Sequence, residues 1–357
     1  MPIIAHSDLP AFDVLSREGE TIVPLDAALR QDIRELHIGL LNMMPDAALL
    51  ATEQQFIRLL GGANQVVQIY VHPFTVPGLA PAPEVQDYIE RHHEPFERLR
   101  AEGLDGLIVS GANVTSRTPD LEAFWEPLRE VMAWAQEHVT SVLCSCLATH
   151  SLAQLFHGVR RRPLLNKRWG VFRHRTVAPN HPLLQGANTS FDVPHSRWDE
   201  ITSRQMEGVG IRVLIESLEG DFHLGTSADG IRLVYFQGHP EYHTTSLLEE
   251  YKREVGRYLA GELHTIPPQP DNYFPPMAAR IARDYLEDAI AAQAAGATAP
   301  TFPEAHIGPL LENTWTDTGK TIFNNWLGLI HRLTDVERGV PFTAGVDPDH
   351  PLGLTAV

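Results

Sequence analysis

The chain has 357 residues, 43% of them hydrophobic, and a formal net charge of −17. That is enough material for one large α/β domain or two smaller ones, each with a sizeable core. The acidic balance excludes a general nucleic-acid binder, whose phosphate contacts need a basic surface. The two cysteines, Cys144 and Cys146, stand one residue apart. Such a pair builds no disulfide framework, points to opposite faces of an extended strand, and fits reduced thiols in a cytoplasm. The N-terminus has neither a basic n-region nor a long apolar run, and no stretch has the length of a membrane span. A cytoplasmic protein without membrane contacts is therefore expected.

The first 35 residues are mixed and proline-bearing, and read as a surface arm. Residues 36–42 then predict a buried strand, and 53–60 an amphipathic helix with Phe56, Leu59 and Leu60 inward. A strand over 66–71, a charged helix over 85–99 and a strand over 104–110 follow, the last running into Gly111-Ala112. Pro119-Asp120 signals the entrance to a helix over 121–136. Residues 138–144 predict the next strand and 147–157 the helix after it. Further strands fall at 211–217 and 231–237, with Gly220-Asp221 and Asp229-Gly230 marking turns. A helix over 246–259 precedes a proline-rich stretch at 267–276, an Ala-rich helix over 278–295 and a final amphipathic helix over 318–333. Ile322, Phe323, Trp326, Leu327 and Ile330 form the apolar stripe of that last helix. The expected organisation is an N-terminal arm (1–35), a central catalytic α/β domain (36–265) and an irregular, helical extension (266–357) packed on it.

Strands alternating with helices imply parallel pairing and right-handed crossovers, and such sheets bind ligands beyond the carboxyl ends of their strands. Asn42, Gly111, Cys146 and His239 all fall just past predicted strand ends. A thiol at a strand-to-helix turn faces the free N–H groups of the helix, which favour a thiolate. His239 can then act as its base, with Glu241, two residues on, holding the imidazole in one tautomer. The competing reading is a buried structural cysteine and an unrelated loop histidine. Two predicted parallel strands and the acidic neighbour of His239 favour the catalytic one.

Other candidates are weaker. The basic cluster Arg160-Arg161-Arg162 with Lys167-Arg168 reads either as a solvated turn or as a site for a carboxylate or the phosphates of an acyl carrier. His92-His93-Glu94 is a poor chelate, because adjacent helical residues face different directions. Cys146 and His150 share a helical face, but nothing supplies third and fourth zinc ligands, so no metal site is expected. Neither a Gly-rich phosphate loop nor a Gly-x-Ser-x-Gly elbow occurs.

The chain resembles the cysteine-dependent homoserine O-acyltransferases, the homoserine O-succinyltransferase family, from about Ile33 to the last helix. The matching stretches are Leu41-Asn-Met-Met-Pro45, Thr52-Glu53-x-Gln55, Gly106-Leu-Ile-Val-Ser-Gly-Ala112, His138-Val-Thr-Ser141, Pro194-His-Ser-Arg197, Gly238-His-Pro-Glu-Tyr242, Asn272-Tyr-Phe-Pro275 and Asn325-Trp-Leu327. Each piece alone is weak, and the ordered set is specific. The resemblance implies a flavodoxin-like, mostly parallel sheet with helices on both faces, similar to class I glutamine amidotransferases. It implies acyl transfer from acyl-CoA as co-substrate, with no cofactor, to the hydroxyl of L-homoserine in methionine biosynthesis, by a homodimer.

By the same resemblance, Cys146 is the nucleophile, His239 the general base and Glu241 the third catalytic member. Lys167 and Ser196 bind substrate, and Arg253 clamps the carboxylate of the amino acid, a role that suits a guanidinium fork. The oxyanion is assigned to backbone N–H groups at Gly111, Ala112 and Leu147. The family usually continues Gly-Ala with Pro, where this chain has Asn113. Two positions later the family associates Glu with acetyl-CoA and Gly with succinyl-CoA, and here Thr115 is neutral and small. With Arg117 nearby to pair a carboxylate, succinyl is favoured over acetyl. The segment from Met44 to Glu53 is read as a long loop that lacks the usual lysine, with Asp46 near its place, which keeps L-serine open as an acceptor. The rival activity is a glutamine amidotransferase, but the glycines usual two residues either side of its cysteine are Cys144 and Ala148 here.

Overall fold

A computed structural model of the chain describes residues 2–62, 67–116 and 118–354. Arg117 and part of the 66–71 strand expectation lie outside the described residues. The strands are β1 Ile3–Ala5, β2 Ile22–Pro24, β3 Glu35–Met43, β4 Gln68–Phe74, β5 Gly106–Ala112 and β6 Ser141–Ser145. They continue with β7 Arg162–Thr176, β8 Ser190–Glu200, β9 Arg212–Ser217, β10 Phe222–Thr226 and β11 Leu233–Phe236. The helices are α1 Pro10–Arg17, α2 Leu25–Ala28, α3 Asp46–Gly61, α4 Pro83–His92, α5 Phe96–Glu102 and α6 Trp125–His138. After them come α7 Leu147–His157, α8 Ser203–Glu207, α9 Ser246–Leu259, α10 Pro276–Ala294, α11 Glu304–Ile307 and α12 Thr316–Leu333.

All the strands join one sheet in the order β2-β1-β4-β3-β5-β6-β11-β10-β9-β7-β8. From β2 to β11 every neighbouring pair is parallel. From β11 to β8 every pair is antiparallel. The fold is therefore α/β with a mostly parallel sheet. Alternate side chains of each parallel strand enter different cores, as period-two geometry requires. Leu36, Ile38 and Leu40 of β3, Ile108 of β5 and Leu143 of β6 pack against Phe56 of α3 and Phe323 and Trp326 of α12. Leu107 and Val109 of β5 and Val142 and Cys144 of β6 pack on the other face against Leu128 and Val131 of α6 and Leu152 of α7. Helices thus cover both faces, and burial on both explains why these strands read as continuous apolar runs. A third cluster joins Trp169 and Val171 of β7 to α9 and α10.

Several boundaries differ from the sequence expectation. Residues 1–35 are not a surface arm: β1 pairs with both β2 and β4, and Ile3, Ile4, Leu9, Phe12 and Leu15 are buried. Three-residue strands are too short to show periodicity. The presumed loop after Met44 is largely helix, since α3 starts at Asp46 behind Pro45. Its Ala-rich start has helix propensity without amphipathic patterning. The helix expected over 85–99 is two helices, with His93 in extended backbone ahead of Pro95. The long β7–β8 pair escaped prediction because charged residues interrupt its alternation. Among the described residues no helix is long and apolar enough to cross a membrane.

Trp326 anchors the C-terminal helix to the sheet. Its ring is fully buried, and its Nε1–H donates to Ser141 Oγ at 2.8 Å. Ser141 Oγ in turn donates to Ile231 O. Trp326→Ala should cost about 3–5 kcal/mol through cavity formation, read as a lower midpoint in urea unfolding. A loss under 1 kcal/mol would show that α12 contributes little to the core.

Candidate active site

The site begins at a strained residue. Cys146 links β6 directly to α7 with φ 51° and ψ −111°, one of three non-glycine residues with positive φ among those described. A side chain in such backbone costs about 1–3 kcal/mol and persists only where its surroundings enforce it. Here Cys146 N–H donates to Phe236 O at 2.8 Å. Thr149 Oγ1, one turn into α7, lies 2.7 Å from Phe236 O and 3.1 Å from Cys144 O. These bonds tie the turn to the ends of β6 and β11. Cys146 is partly exposed, whereas Cys144 is fully buried, and burial pushes the Cys144 thiol pKa up.

His239 follows β11, the parallel neighbour of β6, so both residues emerge at the same sheet edge. Its backbone N–H donates to Pro194 O at 2.9 Å. Its Nδ1 lies 2.8 Å from Glu241 Oε1, and Cys146 is close enough to act on the ring electrostatically. Burial disfavours the charged ring, but Cys146 and Glu241 outweigh it and hold the His239 pKa well above its ordinary value. Tyr242 stacks on the imidazole, with centroids 4.2 Å apart and planes 16° from parallel. Glu241 is buried and also accepts from Ser145 Oγ at 3.2 Å. The structure thus brings Cys146, His239 and Glu241 together, and adds Ser145, which sequence reading missed.

Beside the thiol lies the end of β5. A Cβ built on Gly111 would stand 3.8 Å from Cys146 Cβ, 3.9 Å from Leu147 N and 3.3 Å from Met44 Sδ. Gly111 and the first amide of α7 therefore lie beside Cys146, with Ala112 next along β5. From Met44 outward runs a cavity of about 1090 Å³, lined by Met44, Asp46, Asn113, Thr115 and Glu122 among others but not by Cys146 or His239. Glu122 shapes its wall. One carboxylate oxygen accepts from Thr115 N–H at 2.8 Å and Ser116 N–H at 2.5 Å. Burial opposes these contacts, yet they hold the Glu122 carboxyl below its usual pKa.

The substrate-binding candidates converge only in part. Lys167 on β7 and Ser196 on β8 share one acceptor, Glu250 Oε1 on α9, at 2.5 and 2.7 Å. Lys167 Nζ also sits 4.2 Å over the Trp169 ring. Glu250 was missed, although its place three residues before Arg253 puts both on one helical face. Arg253 stands apart, half exposed, with Glu254 Oε1 3.9 Å away. Its link to the site runs through Tyr242. Burial, then Glu250, Cys146 and Glu241 raise the Tyr242 phenol pKa, and Arg253 opposes them. Of the remaining basic cluster, Arg161 pairs with Asp199, Arg162 with Glu200, and Arg168 with Asp221. His150 bonds Gln237 Oε1 at 2.9 Å.

The sequence profile of the homoserine O-succinyltransferase family matches residues 2–335. The chain is 55% identical over 354 residues to the homoserine O-succinyltransferase of Methylococcus capsulatus, covering 99% of this chain and all of that one. It is 54% identical to that of Allochromatium vinosum, covering 99% of both chains. Among solved structures, a glutamine amidotransferase from Thermotoga maritima is similar at 12% identity and a TM-score of 0.44, covering 84% of this chain and 98% of that one. The chain belongs to the homoserine O-succinyltransferase family.

Proposed function

We propose that this protein transfers a succinyl group from succinyl-CoA to the hydroxyl of L-homoserine, through a thioester on Cys146. The observation that carries the mechanism is Cys146, at a strained strand-to-helix turn, acting on a His239 ring that Glu241 holds by a 2.8 Å hydrogen bond. Family membership and relatives named homoserine O-succinyltransferase support the substrates.

In the first half-reaction the sulfur beside the imidazolium attacks the acyl carbonyl as a thiolate. The tetrahedral oxyanion accepts from the Leu147 N–H and the backbone at Gly111-Ala112, donors already in place before charge develops. Collapse expels the thiol of CoA, protonated by His239. In the second half, His239 takes the proton of the acceptor hydroxyl as its oxygen attacks the thioester. The ester forms, and the Cys146 sulfur leaves. Glu241, itself steadied by Ser145, keeps Nδ1 of His239 protonated and its other nitrogen turned to the reacting atoms. No cofactor enters this scheme. Lys167, Ser196 and Glu250 form the polar wall that reads the amino acid, with Arg253 binding its carboxylate. The cavity past Thr115 takes the acyl donor, and the product feeds sulfur amino-acid biosynthesis.

The mechanism requires ping-pong kinetics. Succinyl-CoA alone should leave one succinyl group on the protein, seen by intact mass spectrometry, and Cys146→Ala should abolish it. Label retained in that variant would move the nucleophile elsewhere. Glu241→Gln removes one of the two groups that keep His239 charged, so the ring should titrate at lower pH in histidine NMR spectra. Turnover should fall by about a hundredfold or more as the orienting partner is lost. An unchanged titration would detach Glu241 from His239.

Substrate recognition is tested by two further variants. Arg253→Lys should raise KM for the amino acid by about ten- to a hundredfold, since a bidentate charged contact is worth roughly 1.5–3 kcal/mol, while thioester formation persists. Thr115→Glu would add a second carboxylate beside Glu122 and should shift donor preference from succinyl-CoA towards acetyl-CoA. Unchanged preference would place acyl selection outside this wall.

A further inference from the structure

The segment His92-His93-Glu94 looks unable to chelate, and the structure shows its three side chains parting. His92 turns to Asp8 and His93 to Glu53. Glu94 instead meets His72 of β4 and His6, the residue just after β1. One ligand atom from each of His6, His72 and Glu94 lies within 4.8 Å of the others.

The proton positions in this cluster are fixed by groups that can only donate or only accept. His6 Nδ1 lies 3.1 Å from Ile4 O, so it carries the proton and Nε2 is a lone pair. That Nε2 is buried without a hydrogen-bond partner, 3.9 Å from Glu94 Oε1. Arg338 Nη1 donates to His37 Nδ1 at 3.2 Å, which leaves the His37 proton on Nε2, facing Glu35 Oε2 at 3.2 Å. The 2.9 Å contact between His37 Nδ1 and His72 Nε2 then needs its proton on His72. His72 Nδ1 meets Glu94 Oε1 at 2.6 Å, a hydrogen bond with one proton held between the two groups. Burial lowers the His72 pKa, although Glu94 works against it. Glu94 Oε2 is also buried without a hydrogen-bond partner, with Arg98 Nε 3.7 Å away. His6 Nε2 and Glu94 Oε2 are thus the atoms of this cluster buried without a hydrogen-bond partner, and one displaceable proton lies between His72 and Glu94.

We propose that His6, His72 and Glu94 bind one divalent transition-metal ion of the zinc class. Two imidazoles and a carboxylate are a borderline donor set that suits such ions. Both histidines already hold their other N–H on an outer acceptor, Ile4 O and His37 Nδ1, as metal-bound histidines commonly do. Ligand bonds of about 2.0–2.2 Å would draw the three groups closer. The ion would pin the short edge strand β1 to β4 and to the link between α4 and α5. A second histidine cluster, His174, His195 and His223, is equally compact but differs in its protons. Arg197 Nε donates to His195 Nδ1 and Gly238 N–H donates to His223 Nδ1, so Nε2 of both rings is protonated and cannot ligate.

The test uses untagged full-length protein carrying Cys146→Ser, which removes the exposed thiol as a competing ligand. Chelator-stripped protein is dialysed against Zn²⁺ and its metal content measured. One zinc per chain is expected, lost in both His6→Ala and Glu94→Gln. At a hundredfold excess over Kd the parent should melt roughly 3–5 °C higher than without zinc, a shift absent from both variants. Folded parent protein that retains no zinc would overturn the proposal, leaving a proton between His72 and Glu94 instead. So would stoichiometric zinc that survives both substitutions. The parent measurement stands even if a variant fails to fold.

Discussion

The backbone of Cys146 is the constraint on which the site depends. Left-handed geometry is unfavourable for a side-chain-bearing residue, so the turn must be held from outside. Pairing of β6 with β5 and β11, the bond from Cys146 N–H to Phe236 O, and the Thr149 hydroxyl across two carbonyls do this. Because β11 both clamps the turn and delivers His239, the same hydrogen bonds set the distance between sulfur and imidazole. The start of α7 follows without an intervening residue, which leaves the Leu147 amide beside Cys146.

The two halves of the sheet make different contributions. Parallel strands β5, β6 and β11 place Gly111, Cys146 and His239 at their carboxyl ends. The antiparallel half brings the long β7–β8 pair alongside, carrying Lys167 and Ser196 to a carboxylate on α9 and Pro194 O to the His239 amide. Chemistry and recognition in the proposed reaction therefore rest on separate strand systems, joined at β11. Tyr242 bridges them, since it stacks on His239 while Glu250 acts electrostatically on its phenol.

The legible parts of the fold were those with strong local patterning. Helices α7 and α9 match the predicted ranges residue for residue, because apolar periodicity and flanking glycine or turn residues bound them clearly. The triad candidates were legible because each follows a strand, and topology brings strand ends together. What escaped depends on tertiary context. β1 gains its meaning from β2 and from β4, the latter sixty-odd residues away, and β7 and β8 stabilise each other. Glu250 and Glu122 looked like ordinary surface acids until the groups donating to them were in place.

Cys144 has a chemical consequence beyond packing. It is the only other thiol in the chain, and it lies fully buried in the core that α6 and α7 cover. Sequence proximity to Cys146 gives it no access to the turn where that sulfur is presented. A sulfenic acid formed on Cys146 thus has no resolving thiol within its own chain, and is left to small-molecule thiols or to irreversible overoxidation. The same burial makes Cys146 the sole readily alkylated position, so a thiol-reactive probe reports on one site without any engineered background.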